Sequence, residues 1–336
     1  MNQQVNPRFD GVDHTAIRLA KSGSTPRPTV LEIHPSPICQ LRCAYCHSMS
    51  SPLDKTIYSS GKRLLAVEEY AQIFEEFVSL GGTEVVISGG GEPLLYPNII
   101  DLIEAASHVG LRIHIYTNGL TKRYFLVESL ELWLPKITSV RFSLHYSTGP
   151  QRMPDVLTAI HNTVSCRNHL MLQVKVHTAV LVDTYPRTEL ERLLTQIAAG
   201  NSDCIELRIV IPPSRVATQV LHESIRFLRE IGCEDSRIST RMSADSIPLV
   251  PPKCFSLYRN IVIDPYGGFR LCCMRAHYPE TDFSYIGSIH EISLSVALSA
   301  GVKQMALAGS GACDVCSVRD SYFSAMVART ENCYEA

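Results

Sequence analysis

The sequence predicts an α/β fold: a partial (β/α)6 barrel with a small cysteine-rich domain after it. Three observations carry this expectation. Six short β-rich runs alternate with amphipathic helical stretches, as right-handed βαβ units around a parallel sheet require. Four of those runs carry polar residues at every second position. The alternation then breaks near residue 245, where cysteines begin to crowd.

Taken in order, residues 1–28 form a polar extension that lacks the apolar core of a signal peptide. TVLEIH (29–34) is the first strand. In AVEEYAQIFEEFVSLGG (66–82), Val67, Tyr70, Phe74 and Phe77 share one helical face, and Gly81-Gly82 supplies the stop. EVVISG (84–89) is the second strand, and the helix in NIIDLIEAASHVG (98–110) stops at Gly110. The remaining strands are RIHIYT (112–117), SVRFSLH (139–145), QVKVHTAVL (173–181) and CIELRIVI (204–211). Helices fit 122–134, 153–168, 188–199 and 215–231. The barrel is expected over 29–215 and a helical linker over 216–253, ending in the proline-rich SADSIPLVPPKC. The last domain, 254–336, starts with a hairpin in RNIVIDPYGGFRLCC around Gly267-Gly268, then a helix near 292–307 and CDVC.

A barrel is preferred over a flat doubly wound sheet because of what the strands carry. In a doubly wound sheet both faces are covered and strands read as continuous apolar runs. Here one side shows His114, Tyr116 and Asn118; Arg141, Ser143 and His145; Gln173, Lys175 and His177; Glu206 and Arg208. Such a set fits an interior lined to hold a ligand, with active groups at the C-terminal strand ends.

Composition bounds the function. The chain has 336 residues, 45% hydrophobic and 19% charged, with net charge −2, so nothing favours nucleic acid or an anionic membrane. No apolar run approaches the roughly 20 residues of a membrane span. Its 12 cysteines, without a secretion signal, point to a reducing, cytoplasmic setting in which thiols serve metals or catalysis.

The stretch ICQLRCAYCH (38–47) places Cys39, Cys43 and Cys46 at C-x3-C-x2-C spacing directly after the first strand. A structural zinc site closes with four ligands, and His47 is poorly placed to complete a tetrahedron beside its neighbour Cys46. A cubane iron–sulfur cluster normally takes four thiolates; three from one loop hold three irons and leave the fourth open.

This pattern resembles the radical S-adenosylmethionine (SAM) superfamily, with Tyr45 as the aromatic residue before the third cysteine. The resemblance covers roughly residues 29–211. It implies a [4Fe–4S] cluster on Cys39, Cys43 and Cys46 whose open iron is chelated by SAM, and cleavage of SAM to a 5′-deoxyadenosyl radical. In SGGGEPLL (88–95) it implies that Gly90, Gly91 and Glu92 meet the SAM amino group. In YTNG and RFSLH it implies that Asn118 and Ser143 lie near the ribose and carboxylate.

Cys254, Cys272, Cys313 and Cys316 resemble the short, twitch-like (SPASM-related) auxiliary-cluster domain of some members, which implies a second, fully thiolate-ligated [4Fe–4S] cluster; a zinc ribbon is the competing reading. Cys273 is then an extra thiol, able to donate a hydrogen atom to a substrate radical if it faces substrate, or to sit as a small hydrophobe if not. Cys166, Cys204, Cys233 and Cys333 have no partners at ligand spacing. Members with such a domain include enzymes of the 2-deoxy-scyllo-inosamine dehydrogenase, neomycin epimerase and cytosylglucuronate decarboxylase types. The resemblance, together with the polar interior, implies hydrogen abstraction from a sugar, aminocyclitol or sugar nucleoside in natural-product (antibiotic) biosynthesis. The implied outcome is oxidation with the electron passed to the auxiliary cluster, or epimerisation with a hydrogen atom from Cys273, and the implied reductant is flavodoxin or ferredoxin. His177 or Lys175 is the expected base, and Lys175 or Arg208 the expected anchor for a carboxylate. Decarboxylation, peptide modification and a non-catalytic electron carrier are the alternatives.

Overall fold

A computed structural model describes residues 14–43, 46, 62–149, 151–209, 215–240 and 254–307. In chain order the elements are α1 (His14–Ser22), β1 (Val30–Ile33), α2 (Val67–Ser79), β2 (Glu84–Ile87), α3 (Ile99–His108), β3 (Arg112–Thr117), α4 (Val127–Trp133), β4 (Ser139–Leu144), α5 (Met153–His169) and β5 (Lys175–Leu181). They continue with α6 (Arg187–Ala199), β6 (Cys204–Arg208), α7 (Arg215–Glu230), β7 (Ile238–Thr240), β8 (Asn260–Ile263), β9 (Gly268–Arg270), β10 (Tyr285–Ser288) and α8 (Leu294–Leu307). The result is the predicted α/β class with a mostly parallel sheet.

The chain divides into two compact units. One comprises Val12–Cys39, Cys46–Ile113 and Ser243–Ala336. In it β1 pairs in parallel with β2 on one side and with β8 on the other, and β8, β9 and β10 continue antiparallel. A division at residue 254 therefore separates strands that the structure joins. The NIVI strand, buried at every residue and apolar after Asn260, needs cover on both faces, and the open side of β1 supplies its hydrogen-bonding edge. The helix α2 buries Tyr70, Ile73, Phe74 and Phe77, one residue different from the face the sequence suggests. Its start is fixed by Glu69, which accepts the Ala66 amide at 2.7 Å and Arg63 at 2.6 and 2.8 Å. Arg63 holds that carboxyl down at about 2. Its end is the expected glycine stop: Gly81 adopts φ 94°, and the Gly82 amide donates to Phe77 at 2.9 Å.

The other unit comprises Met1–Gly11, Gln40–Tyr45 and His114–Met242. Here the order is β3–β4–β5–β6–β7, parallel throughout. Strand β4 shows how sequence sets its two faces. Val140, Phe142 and Leu144 are fully buried, while Arg141 and Ser143 between them are half-buried. The expected helix 122–134 is broken, with a 3-10 turn at Lys122–Phe125 and α4 starting at Val127. Leu126 between them is extended (φ −73°, ψ 148°) and exposed. The helix α1 lies in the segment expected to be a polar extension, and the short strands β7 and β10 carry too few residues for a periodicity to be read.

Candidate functional site

In the first unit the chain leaves β1 through His34 and reaches Cys39 by way of Ser36, whose hydroxyl accepts the Ile38 amide at 3.2 Å. The Glu92 amide donates to the Ile38 carbonyl at 2.8 Å. Gly91 lies so close that a β-carbon there would stand 2.4 Å from the same oxygen. The glycines after β2 thus allow close backbone approach to the residue preceding Cys39. Glu92 is 2% exposed, and its carboxylate accepts the Leu94 amide at 3.2 Å, capping the turn Pro93–Leu95. Nearby, Glu32 accepts the Ser88 hydroxyl at 2.6 Å and faces His34 Nε2 at 3.4 Å. Sequence reasoning missed this buried trio. The polar Glu32 in an otherwise apolar first strand, on the same side as His34, was the available signal.

Cys39, Cys43 and Cys46 share the loop after β1 and are all half-buried; Tyr45 lies outside the described residues. Among the described residues no three His, Cys, Asp or Glu side chains are gathered as a metal-binding group.

In the second unit Asn118 follows β3 and is buried. Its Oδ1 accepts the Leu120 amide at 2.9 Å, and its Nδ2 donates to Gln40 Oε1 at 3.2 Å. Gly119 turns with φ 75°, and a β-carbon there would press on Val156 and Phe142 at 3.0 and 3.1 Å. The strand register sets the polar residues in rows on one face. Tyr116, Arg141, His177 and Cys204 form one row; Ser143, Ala179, Glu206 and Ser239 form the next; Leu181 and Arg208 form a third. The Arg141 guanidinium lies 3.4 Å over the Tyr116 ring, a cation–π contact. Glu206 is 1% exposed; its Oε1 accepts Arg208 Nε and Nη2 at 2.9 and 2.8 Å, and its Oε2 lies 3.9 Å from Arg141. His145, just beyond β4, is desolvated and flanked by Arg208 and Arg141, which together press its imidazole down to about 4. Burial pushes the Cys204 thiol up to about 12.

The expected site residues lie at different levels of the strands. Lys175 is exposed at the first residue of β5, opposite Ser139, whereas Arg208 pairs with Leu181 at the far end. At about 3.3 Å per residue the two candidate anchors lie roughly 20 Å apart along the sheet. His177 sits between these levels, half-buried. Alternation fixed the face of each residue and left its depth unread. Cys272 and Cys273 are not on β9, which ends at Arg270; Cys272 is extended, and Cys273 opens a 3-10 turn. Strand alternation therefore does not orient Cys273. Cys254 is half-buried, with its sulfur 3.2 Å from the Ser256 hydroxyl, and Cys313 and Cys316 lie outside the described residues.

Lowering pH offers a check on the site's electrostatics. His145 ionises less readily in the folded chain than in the unfolded one, so the unfolded chain takes up the proton first. Stability should fall as pH drops from about 6.5 toward 4, by on the order of 3 kcal/mol from this group. Thermal unfolding of the wild type and His145→Gln between pH 7 and 4 should show a shallower decline in the variant.

Residues 33–162 match the description of the Radical SAM superfamily. That segment holds the cysteine loop, the glycine turn and the Asn118 loop. GTP 3′,8-cyclase of Synechococcus elongatus is 30% identical over 161 residues, 45% of this chain and 46% of that protein. The matched part thus spans about half the length of that relative. Among solved structures, Streptococcus suis SuiB bound to precursor peptide SuiA has TM-score 0.61 at 16% identity, covering 83% of this chain and 66% of that one. The anSMEcpe protein with bound AdoMet has TM-score 0.58 at 12% identity, covering 90% and 95%. These likenesses show the fold. The matched family implies a [4Fe–4S] cluster and SAM, and Cys39, Cys43 and Cys46 are the residues that would hold the cluster. Three accessible thiols lie on one loop, and the glycine turn leaves no room for a side chain beside it. No helix among the described residues is long and apolar enough to cross a membrane.

Proposed function

We propose that this radical SAM enzyme abstracts hydrogen from a carbon of a sugar, aminocyclitol or sugar nucleoside, giving oxidation or epimerisation. When bound, the cluster and SAM supply the 5′-deoxyadenosyl radical that begins the reaction. The observation that carries the substrate class is the polar face of the second unit. Tyr116, Arg141, Ser143, His177, Glu206 and Arg208 line β3 to β6, most of them half-buried. A face that presents guanidinium, carboxylate, hydroxyl and imidazole groups suits a hydroxyl-rich small molecule, which needs several fixed polar partners. Arg208, at the end of β6, is the residue we assign to bind the substrate's polar or anionic groups, and His177 remains the assigned base. His145 is too weak a base to share that role at neutral pH. Cys273 is the assigned hydrogen-atom donor if the outcome is epimerisation, and Cys254, Cys272, Cys313 and Cys316 are the assigned ligands of a second [4Fe–4S] cluster.

The name of the cyanobacterial relative favours a second reading, in which the substrate is a nucleotide. A direct test is 5′-deoxyadenosine release under reducing conditions with panels of aminocyclitols, sugars, nucleosides, nucleotides and short peptides. Stimulation by aminocyclitols, sugars or nucleosides is the expected result. Stimulation by nucleotides alone supports the second reading, and stimulation by peptides alone overturns both.

A further inference from the structure

We infer that Gln40, the residue after the first cysteine of the loop, is a positioning residue that sets how the radical SAM domain receives SAM. Its side chain is exposed, yet it is held on both ends of its amide. Oε1 accepts Asn118 Nδ2 at 3.2 Å, and Nε2 donates to Thr121 Oγ1 at 3.3 Å. The Gln40 carbonyl accepts Arg152 Nη1 at 3.5 Å. Residues from two other parts of the chain, the Asn118–Thr121 loop and Arg152, thus converge on one position between Cys39 and Cys43. The adjoining Leu41 is buried, which fixes the backbone on the other side.

The arrangement orders Asn118 as much as the loop. An amide side chain is free to turn about its last bond, and hydrogen bonds at both ends remove that freedom. Asn118 has its oxygen on the Leu120 amide and its nitrogen on Gln40, so its orientation is tied to the residue beside Cys39. A group that must meet SAM in one orientation gains affinity from being held there beforehand. Glutamine is suited to the task because it both accepts and donates. Glutamate keeps two acceptors, one for Asn118 and one for the Thr121 hydroxyl, which can turn to donate. Leucine, of similar volume, keeps neither.

This inference rests on the radical SAM reading, and its test separates the two. Wild type, Gln40→Leu and Gln40→Glu are reconstituted anaerobically and assayed for iron. SAM is then titrated while the EPR signal of the dithionite-reduced cluster is followed. Gln40→Leu is expected to keep its iron while the SAM concentration that perturbs the signal rises at least tenfold, with Gln40→Glu close to wild type. Loss of iron from Gln40→Leu with retention in Gln40→Glu also supports the role. Equal SAM dependence in all three, or loss of iron from both variants, overturns it. If SAM leaves the wild-type signal unchanged, the radical SAM reading fails first and this inference falls with it.

Discussion

Replacing Cys39, Cys43 and Cys46 together by alanine should lower the iron content of anaerobically reconstituted protein from about 8 to about 4 per chain and abolish 5′-deoxyadenosine formation. The three thiols share one loop and are all half-buried, so they are open to metal, and the alanine variant removes donors without emptying a packed core. Residual iron of about 4 would reside in the C-terminal cysteine set. A content of about 4 falling to none would leave one cluster, on the loop of Cys39, Cys43 and Cys46, and remove the second one. Oxidation that relies on an auxiliary electron acceptor would then be excluded, and epimerisation would stand as the leading outcome. Zinc assayed in the same samples distinguishes a C-terminal zinc ribbon from an empty cysteine set.

Much of this architecture was legible because parallel strands and amphipathic helices leave strong periodicities. The alternation of Val140, Phe142 and Leu144 with Arg141 and Ser143 announced both the strand and its two faces. Gly81 and Gly110 marked helix ends because both occupy positive φ, which other residues adopt at a cost. Depth along a strand left no such mark. Lys175 and Arg208 look equivalent by parity, and only the register shows one at the start of β5 and the other at the end of β6. The pairing of β8 with β1 was hidden for a related reason: the apolar run Ile261–Ile263 says that the strand is covered, without saying by what. Glu32, His34 and Ser88 were missed because their meeting depends on two strands far apart in sequence. Gln40 left no mark of its own, because its partners Asn118 and Thr121 lie far away in sequence.

Glu206 tests whether the polar face of the second unit is held together by its charges. Its carboxylate is 1% exposed and sits between two arginines, chelated by Arg208 through one oxygen and approached by Arg141 at the other. Burying three charged groups is costly, and the cost is offset only while the opposite charges remain in contact. Glu206→Ala should therefore lower stability by about 3–5 kcal/mol, because it strands guanidinium groups in a half-buried setting. In calorimetry this corresponds to a fall in Tm of on the order of 10 °C for a chain of this size. Arg208→Ala should cost less, since its side chain is 23% exposed and the carboxylate retains Arg141. The double variant should be more stable than the sum of the single losses predicts, because each single change leaves a charge that the other removes. Full additivity would mean that the pair contributes nothing mutual, and the polar face would then owe its geometry to packing between β5 and β6 alone.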